Sequence, residues 1–108
     1  MPTNKLINNS VIREIVHRVV ETAHPEKIIL FGSAAREDDN EARDIDVLVV
    51  KSGVHRRSLA MTLYRKMVGL GRAVDIVVVR PEDVDKYEAS SVLVIGPALR
   101  EGKLVYEK

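Results

Sequence analysis

The chain contains no cysteine and no tryptophan, only four per cent aromatic residues, and almost no net charge. Without cysteine there is no disulfide scaffold, no thiol catalysis and no cysteine-held zinc. So few aromatics cannot build a stacking platform for single-stranded nucleic acid. A net charge of +1 from 17 basic and 16 acidic residues sets up no global field to coat nucleic acid, so any basic surface must be local. No apolar run approaches the roughly 18 residues that span a bilayer. The opening MPTNKLINNS has no apolar signal core. What is present is ordinary: 45% hydrophobic and 31% charged residues over 108 positions. That balance excludes disorder and predicts one small cytoplasmic domain over residues 1–108, with roughly two-thirds of its unfolded surface buried.

There is no internal repeat and no linker-like tract. Ile7, Val11, Ile12, Ile15, Val16, Val19, Val20 and Ala23 recur at helical spacing, after a capping stretch at Asn8, Asn9 and Ser10. His24-Pro25 stops that helix, because the residue before proline leaves the helical region. Lys27–Phe31 and Asp44–Val50 read as strands, rich in β-branched residues. Between them Gly32-Ser33 breaks the chain, residues 34–36 favour a short helix, and residues 37–43 form a charged loop. Arg56–Leu70 reads as a helix with Leu59, Ala60, Leu63, Met67 and Leu70 on one stripe, ended by Gly69 and Gly71. Ala73–Val79 is a third strand, read as an inner one. A short helix follows Pro81, another is expected over residues 90–101, and Lys103–Tyr106 is a last strand. Strands and helices in alternation predict an α/β or α+β fold with helices packed on at least one sheet face.

Three acidic residues break the apolar pattern. Asp44 and Asp46 open the second strand and, two apart, share a face. Asp75 interrupts a run that is otherwise Ala, Val and Ile, where an unpaired buried carboxylate costs several kcal/mol. If the second and third strands are neighbours, the carboxylates converge. Their mutual repulsion is relieved by a hard divalent cation, and oxygen-only ligation selects Mg²⁺ or Mn²⁺ over zinc. Upstream, Gly32-Ser33 sits at a strand-to-helix turn, where glycine permits close backbone approach and free N–H groups favour phosphate. Arg36, one turn on, offers a guanidinium fork to phosphate oxygens. Read singly, each feature has a plain alternative. The pair is a solvent-facing strand end, Gly-Ser an ordinary turn, Asp75 an edge-strand acid, and Arg36 a partner for Glu37, Asp38 or Glu41. His55, Arg56, Arg57, Arg65, Lys66 and Arg72 form a locally basic stretch, read first as a solvated helix face and otherwise as a docking face for an acidic partner or RNA.

Taken together, Gly32-Ser33, ten residues, and Asp44-Ile45-Asp46 resemble the G-S-x10-D-x-D signature of the DNA polymerase β-like nucleotidyltransferase superfamily. FGSAAR, DIDVLVV and the third Asp in VDIVVV look most like its minimal nucleotidyltransferase branch, whose members are antitoxins paired with HEPN ribonuclease toxins. The likeness runs over nearly the whole chain, to the closing EGKLVYE. One departure stands out: relatives read glycine after the arginine, and here Glu37, Asp38 and Asp39 follow Arg36.

The resemblance implies a mixed sheet and Mg²⁺-dependent transfer of AMP from ATP to a tyrosine of the toxin, silencing it. It implies two metal ions about 3.5–4 Å apart, one on Asp44, Asp46 and Asp75 and one on Asp44 and Asp46. Gly32 and Ser33, with Arg36, would orient phosphates, and Asp75 would accept the acceptor's proton. A chain of this length houses a catalytic centre and little else, so a partner must supply the acceptor surface. An exposed docking face would also promote self-association in isolation. Two other readings stay open: an antitoxin that neutralises by binding alone, and a small-molecule nucleotidyltransferase completed by a partner subunit. Near-zero charge counts against nucleic acid as the direct substrate.

Overall fold

The computed structural model describes residues 10–31, 44–87 and 102–108. The first helix, α1, spans Ser10–Ala23 and buries Ile12, Ile15, Val16, Val19 and Ala23 as one stripe. It stops where the sequence requires. His24 adopts a left-handed conformation with φ of 48°, its N–H still donating to the Val20 carbonyl at 2.9 Å. Pro25 behind it is fully buried. Strand β1, Lys27–Phe31, follows.

Strand β2, Asp44–Val50, runs antiparallel to β1. A tight turn then leads to α2, Arg56–Lys66. That turn is held by Glu26, whose carboxylate accepts from the Ser52 N–H at 2.9 Å and hydroxyl at 2.8 Å. Strand β3, Ala73–Val79, lies parallel to β2, and α3, Pro81–Tyr87, follows at once. Strand β4, Lys103–Glu107, closes antiparallel on the other side of β1. The sheet order is β3-β2-β1-β4, a mixed four-stranded sheet with helices, as the resemblance implies.

Each sheet face has its own apolar cluster. On one, α1 and α2 cover Ile28, Leu30, Ile45, Val47, Val49, Val74, Ile76 and Val78. On the other, Ile29, Leu48, Val50 and Val79 pack with Phe31, Val77 and Val84 of α3. The strict alternation of β2 and β3 produces this split, because neighbouring side chains point to opposite faces.

Two expectations are corrected. First, β3 is an edge strand, not an inner one. Its outward Ile76 N–H is met by the Tyr64 hydroxyl of α2 at 2.9 Å, so the helix blunts the open edge. Second, α2 ends at Lys66 rather than Leu70. There the Arg18 guanidinium donates to the carbonyls of Lys66 and Val68, both at 2.9 Å, while Arg18 pairs with Glu14. A cation on the last carbonyls satisfies orphan acceptors and complements the helix dipole. The expected short helix at residues 34–36, the loop at 37–43 and the helix over 90–101 lie outside the described residues.

Candidate active site

The β2–β3 pairing sets the geometry of the acidic end. In its parallel register Asp46 stands opposite Asp75, and Asp44 opposite Ala73. Partners in register on neighbouring strands share a face, with strands about 4.8 Å apart. Asp46 is half-buried and takes part in the surrounding interactions, whereas Asp75 is exposed. Edge placement removes the burial penalty expected for Asp75, because its carboxylate reaches water. It does not remove the repulsion between like charges facing each other across strands, which is unfavourable by about 0.2–1 kcal/mol.

These two acids stand on the face that carries Ile29, Leu48, Val50, Val77 and Val79, so that one face turns from apolar to acidic along the strands. On β1, Phe31 is the register partner of Asp46. The residue preceding Gly32 is therefore the one across from Asp46. Gly32, Ser33 and Arg36 themselves lie outside the described residues, as does the side chain of Asp44.

Among the described residues there is no group of three His, Cys, Asp or Glu placed to hold a metal ion. The described donors that do converge are two carboxylates with no imidazole or thiolate. That donor set fits a hard, oxygen-seeking cation and does not fit zinc or copper. The histidines stand elsewhere. His17 pairs with Glu21 on the exposed face of α1, His24 terminates that helix, and His55 caps α2 by accepting from the Ser58 N–H at 3.2 Å.

One group that sequence reasoning passed over is Asp83. It sits at the third position of α3, accepts from the Arg80 N–H at 3.0 Å and pairs with Arg56 at 3.1 Å. It is buried, and the Arg80 N–H bond, reinforced by the Arg56 and Arg80 charges, holds its carboxyl below the ordinary range despite the opposing effect of burial. The visible signal was the acidic first turn after Pro81, which suits a reciprocal cap. Nothing in the sequence shows that Arg56, 27 residues upstream, would meet it. No helix among the described residues is long and apolar enough to cross a membrane.

Comparison with known proteins bears on this arrangement. The family model for "Polymerase beta, Nucleotidyltransferase" matches residues 13–108. A solved structure of a Sulfolobus solfataricus protein, assigned as a nucleotidyltransferase, superimposes with a TM-score of 0.59 at 20% identity. The match covers 99% of this chain and 91% of that one, and at this identity it supports the fold alone. Comparison with curated proteins yields no significant match.

Proposed function

Because this chain belongs to the polymerase beta nucleotidyltransferase family, we propose that it transfers AMP from ATP to a protein, specifically to a tyrosine of a HEPN-type ribonuclease toxin, and so acts as its antitoxin. The observation that carries the catalytic part is the in-register pair Asp46 and Asp75 on adjacent parallel strands. Carboxylates facing each other across strands repel, so their placement is readily understood if they work on a ligand.

In the proposed reaction the acceptor hydroxyl oxygen forms a bond to the α-phosphorus of ATP. The bond from that phosphorus to the bridging oxygen breaks, and pyrophosphate departs. The hydroxyl proton passes to a carboxylate oxygen of Asp75, which stands at the exposed edge of the sheet where an incoming acceptor has access. Asp46, between β1 and β3, faces the triphosphate, while Gly32, Ser33 and Arg36 bind its outer phosphates. Asp44, Asp46 and Asp75 are the residues that would hold Mg²⁺, which when bound supplies Lewis acidity and neutralises phosphate charge.

Protein rather than small-molecule transfer is supported by exposed apolar residues on α2 and just past it. Met61 and Tyr64, three apart on α2, are 53% and 43% exposed, and Val68, two residues beyond its end, is 77% exposed. Such exposed apolar residues suit a protein surface. It also favours the second reading, neutralisation by binding without chemistry.

The test uses α-labelled ATP, Mg²⁺, this protein and the protein that co-purifies with it from its native host. Label on the partner, absent with Asp44→Asn/Asp46→Asn, supports adenylyl transfer. A partner that stays unlabelled yet bound and silenced, with wild type and variant alike, would replace it with the binding reading.

A further inference from the structure

At the opposite end of β2 and β3 the structure holds a second, differently charged site. An open pocket of about 490 Å³ is lined by Val54, His55, Arg56, Arg57, Val78 and Arg80. Three of its six lining residues are arginines, and two of them, Arg56 and Arg57, open α2. The first turn of α2 has no acidic residue. Cations at a helix N-terminus oppose the dipole, which favours anions there. Ser58 gives its N–H to the His55 ring, while the N–H groups of Arg56 and Arg57, being in the first turn, have no intrahelical acceptor.

The carboxylates near the pocket do not balance this charge. Asp83 pairs with Arg56 at 3.1 Å and lies 3.6 Å from the Arg80 Nε, and Glu82 lies 3.9 Å from that same atom. Arg80 Nε is buried and makes no hydrogen bond among the described residues, so these carboxylates meet its charge only in part. Arg57 has no carboxylate partner among the described residues. His55 accepts at Nδ1, so its N–H is at Nε2. The site is a crevice at the carboxyl ends of two parallel strands, beside the helix N-terminus that follows.

We propose that this pocket binds a small polyphosphate anion, free or carried by a nucleotide, at a site separate from the carboxylates. Five residues separate Asp75 from Arg80, about 16 Å of extended strand. Guanidinium forks match phosphate oxygens in pairs. The volume lies within the small-ligand range of about 300–1,000 Å³, and Val54 and Val78 add apolar wall for a base or sugar. A net charge of +1 sets up no global field to draw in a nucleic-acid strand.

The experiment is calorimetric titration of the whole chain in metal-stripped buffer, so that divalent-dependent binding at the carboxylates is silent. Inorganic pyrophosphate, ADP and a short single-stranded RNA are the probes. Wild type should bind pyrophosphate saturably, one per chain. Arg57→Gln, at an exposed side chain, should weaken it about tenfold, as loss of one charged hydrogen-bonding partner does. Arg57→Gln/Arg80→Gln should weaken it further, and His17→Gln, on the exposed face of α1, should leave it unchanged. ADP binding as tightly as pyrophosphate, or more tightly, with the same loss in Arg57→Gln, supports the site and tells free anion from nucleotide. Three results would overturn it: no saturation by either anion in the millimolar range, binding indifferent to Arg57→Gln, or RNA binding that is tighter and Arg57-dependent. None of these bears on label transfer, which depends on the other end of the sheet.

Discussion

The two ends of the parallel pair β2–β3 carry opposite charge. At the amino end, Asp46 and Asp75 face each other across the strands. Past the carboxyl end, Arg56, Arg57 and Arg80 gather around a pocket. Between them the strands are apolar on both faces, with Leu48, Val49 and Val79 almost wholly buried. The strands thus act as a rigid spacer whose interior is committed to packing, and chemistry is confined to the ends. The ends differ in how they treat their charge. The arginine end partly compensates itself, through Asp83, and in doing so ties α2 to α3. The acidic end sets like charges opposite each other in register, with Asp46 half-buried among its own contacts and Asp75 exposed. The Asp83 contacts contribute to folding, whereas like charges facing each other across strands oppose it and point to a ligand.

That contrast can be broken at its strongest point first. Asp46→Asn is expected to lower nucleotidyl transfer by about a hundredfold or more, the scale on which loss of a transition-state charge contact acts. Folding should change little, because relief of the repulsion from Asp75 offsets the loss of Asp46's own contacts. Label transfer and chemical denaturation on the same preparation check both halves.

The spacer comes next. Leu48→Ala removes a fully buried side chain from the second cluster and should cost about 2–5 kcal/mol. Urea unfolding measures it, and a loss well below this range would show that the acidic face is loosely built.

At the arginine end, Asp83→Ala should cost about 1–3 kcal/mol, since it leaves a buried N–H and the Arg56 charge without their acceptor. The pH dependence has a definite sign. The folded carboxyl titrates below its ordinary value of 3.8, so its stabilisation is complete above that value and is lost as pH falls through the lower, folded one. Asp83→Asn should therefore flatten the acid limb of a stability-against-pH curve below about pH 4 and leave its neutral region parallel to wild type.

The smallest effect belongs to the edge. Tyr64→Phe deletes the hydroxyl that meets the Ile76 N–H and should cost about 0.5–1.5 kcal/mol. Amide exchange at Ile76 should quicken while Val47 in β2 stays protected.

Much of the fold was legible because its strands are short β-branched runs flanked by breakers. Asp44–Val50 and Ala73–Val79 have the bounds the pattern indicates. Asp75 was conspicuous because an acid in such a run is expensive when buried, and its strand context led to the suggestion that it stands beside the second strand's acids. The pattern could not say that β3 lies at the edge. Strand order depends on pairing, and the cover that makes an apolar edge tolerable comes from Tyr64 on another element. The early end of α2 was hidden for a similar reason, since its last carbonyls are held by Arg18 of α1, 48 and 50 residues away. The arginine pocket was half visible. Arg56 and Arg57 stood in a basic stretch that reads as a solvated helix face, and only the βαβ crossover brings Arg80 to them.

The most direct test of the central claim, that the facing carboxylates serve a cation and not the fold, needs no partner. The unfolding midpoints of wild type and Asp75→Asn are compared in metal-free buffer and in millimolar Mg²⁺ with ATP. A ligand bound only by the native state raises stability by mass action, about 2.7 kcal/mol at a hundredfold excess over its dissociation constant. The account predicts that Asp75→Asn matches or exceeds wild type without metal, and that only wild type gains on adding Mg²⁺ and ATP. A variant that is less stable than wild type without metal, and gains equally on adding both, would contradict it.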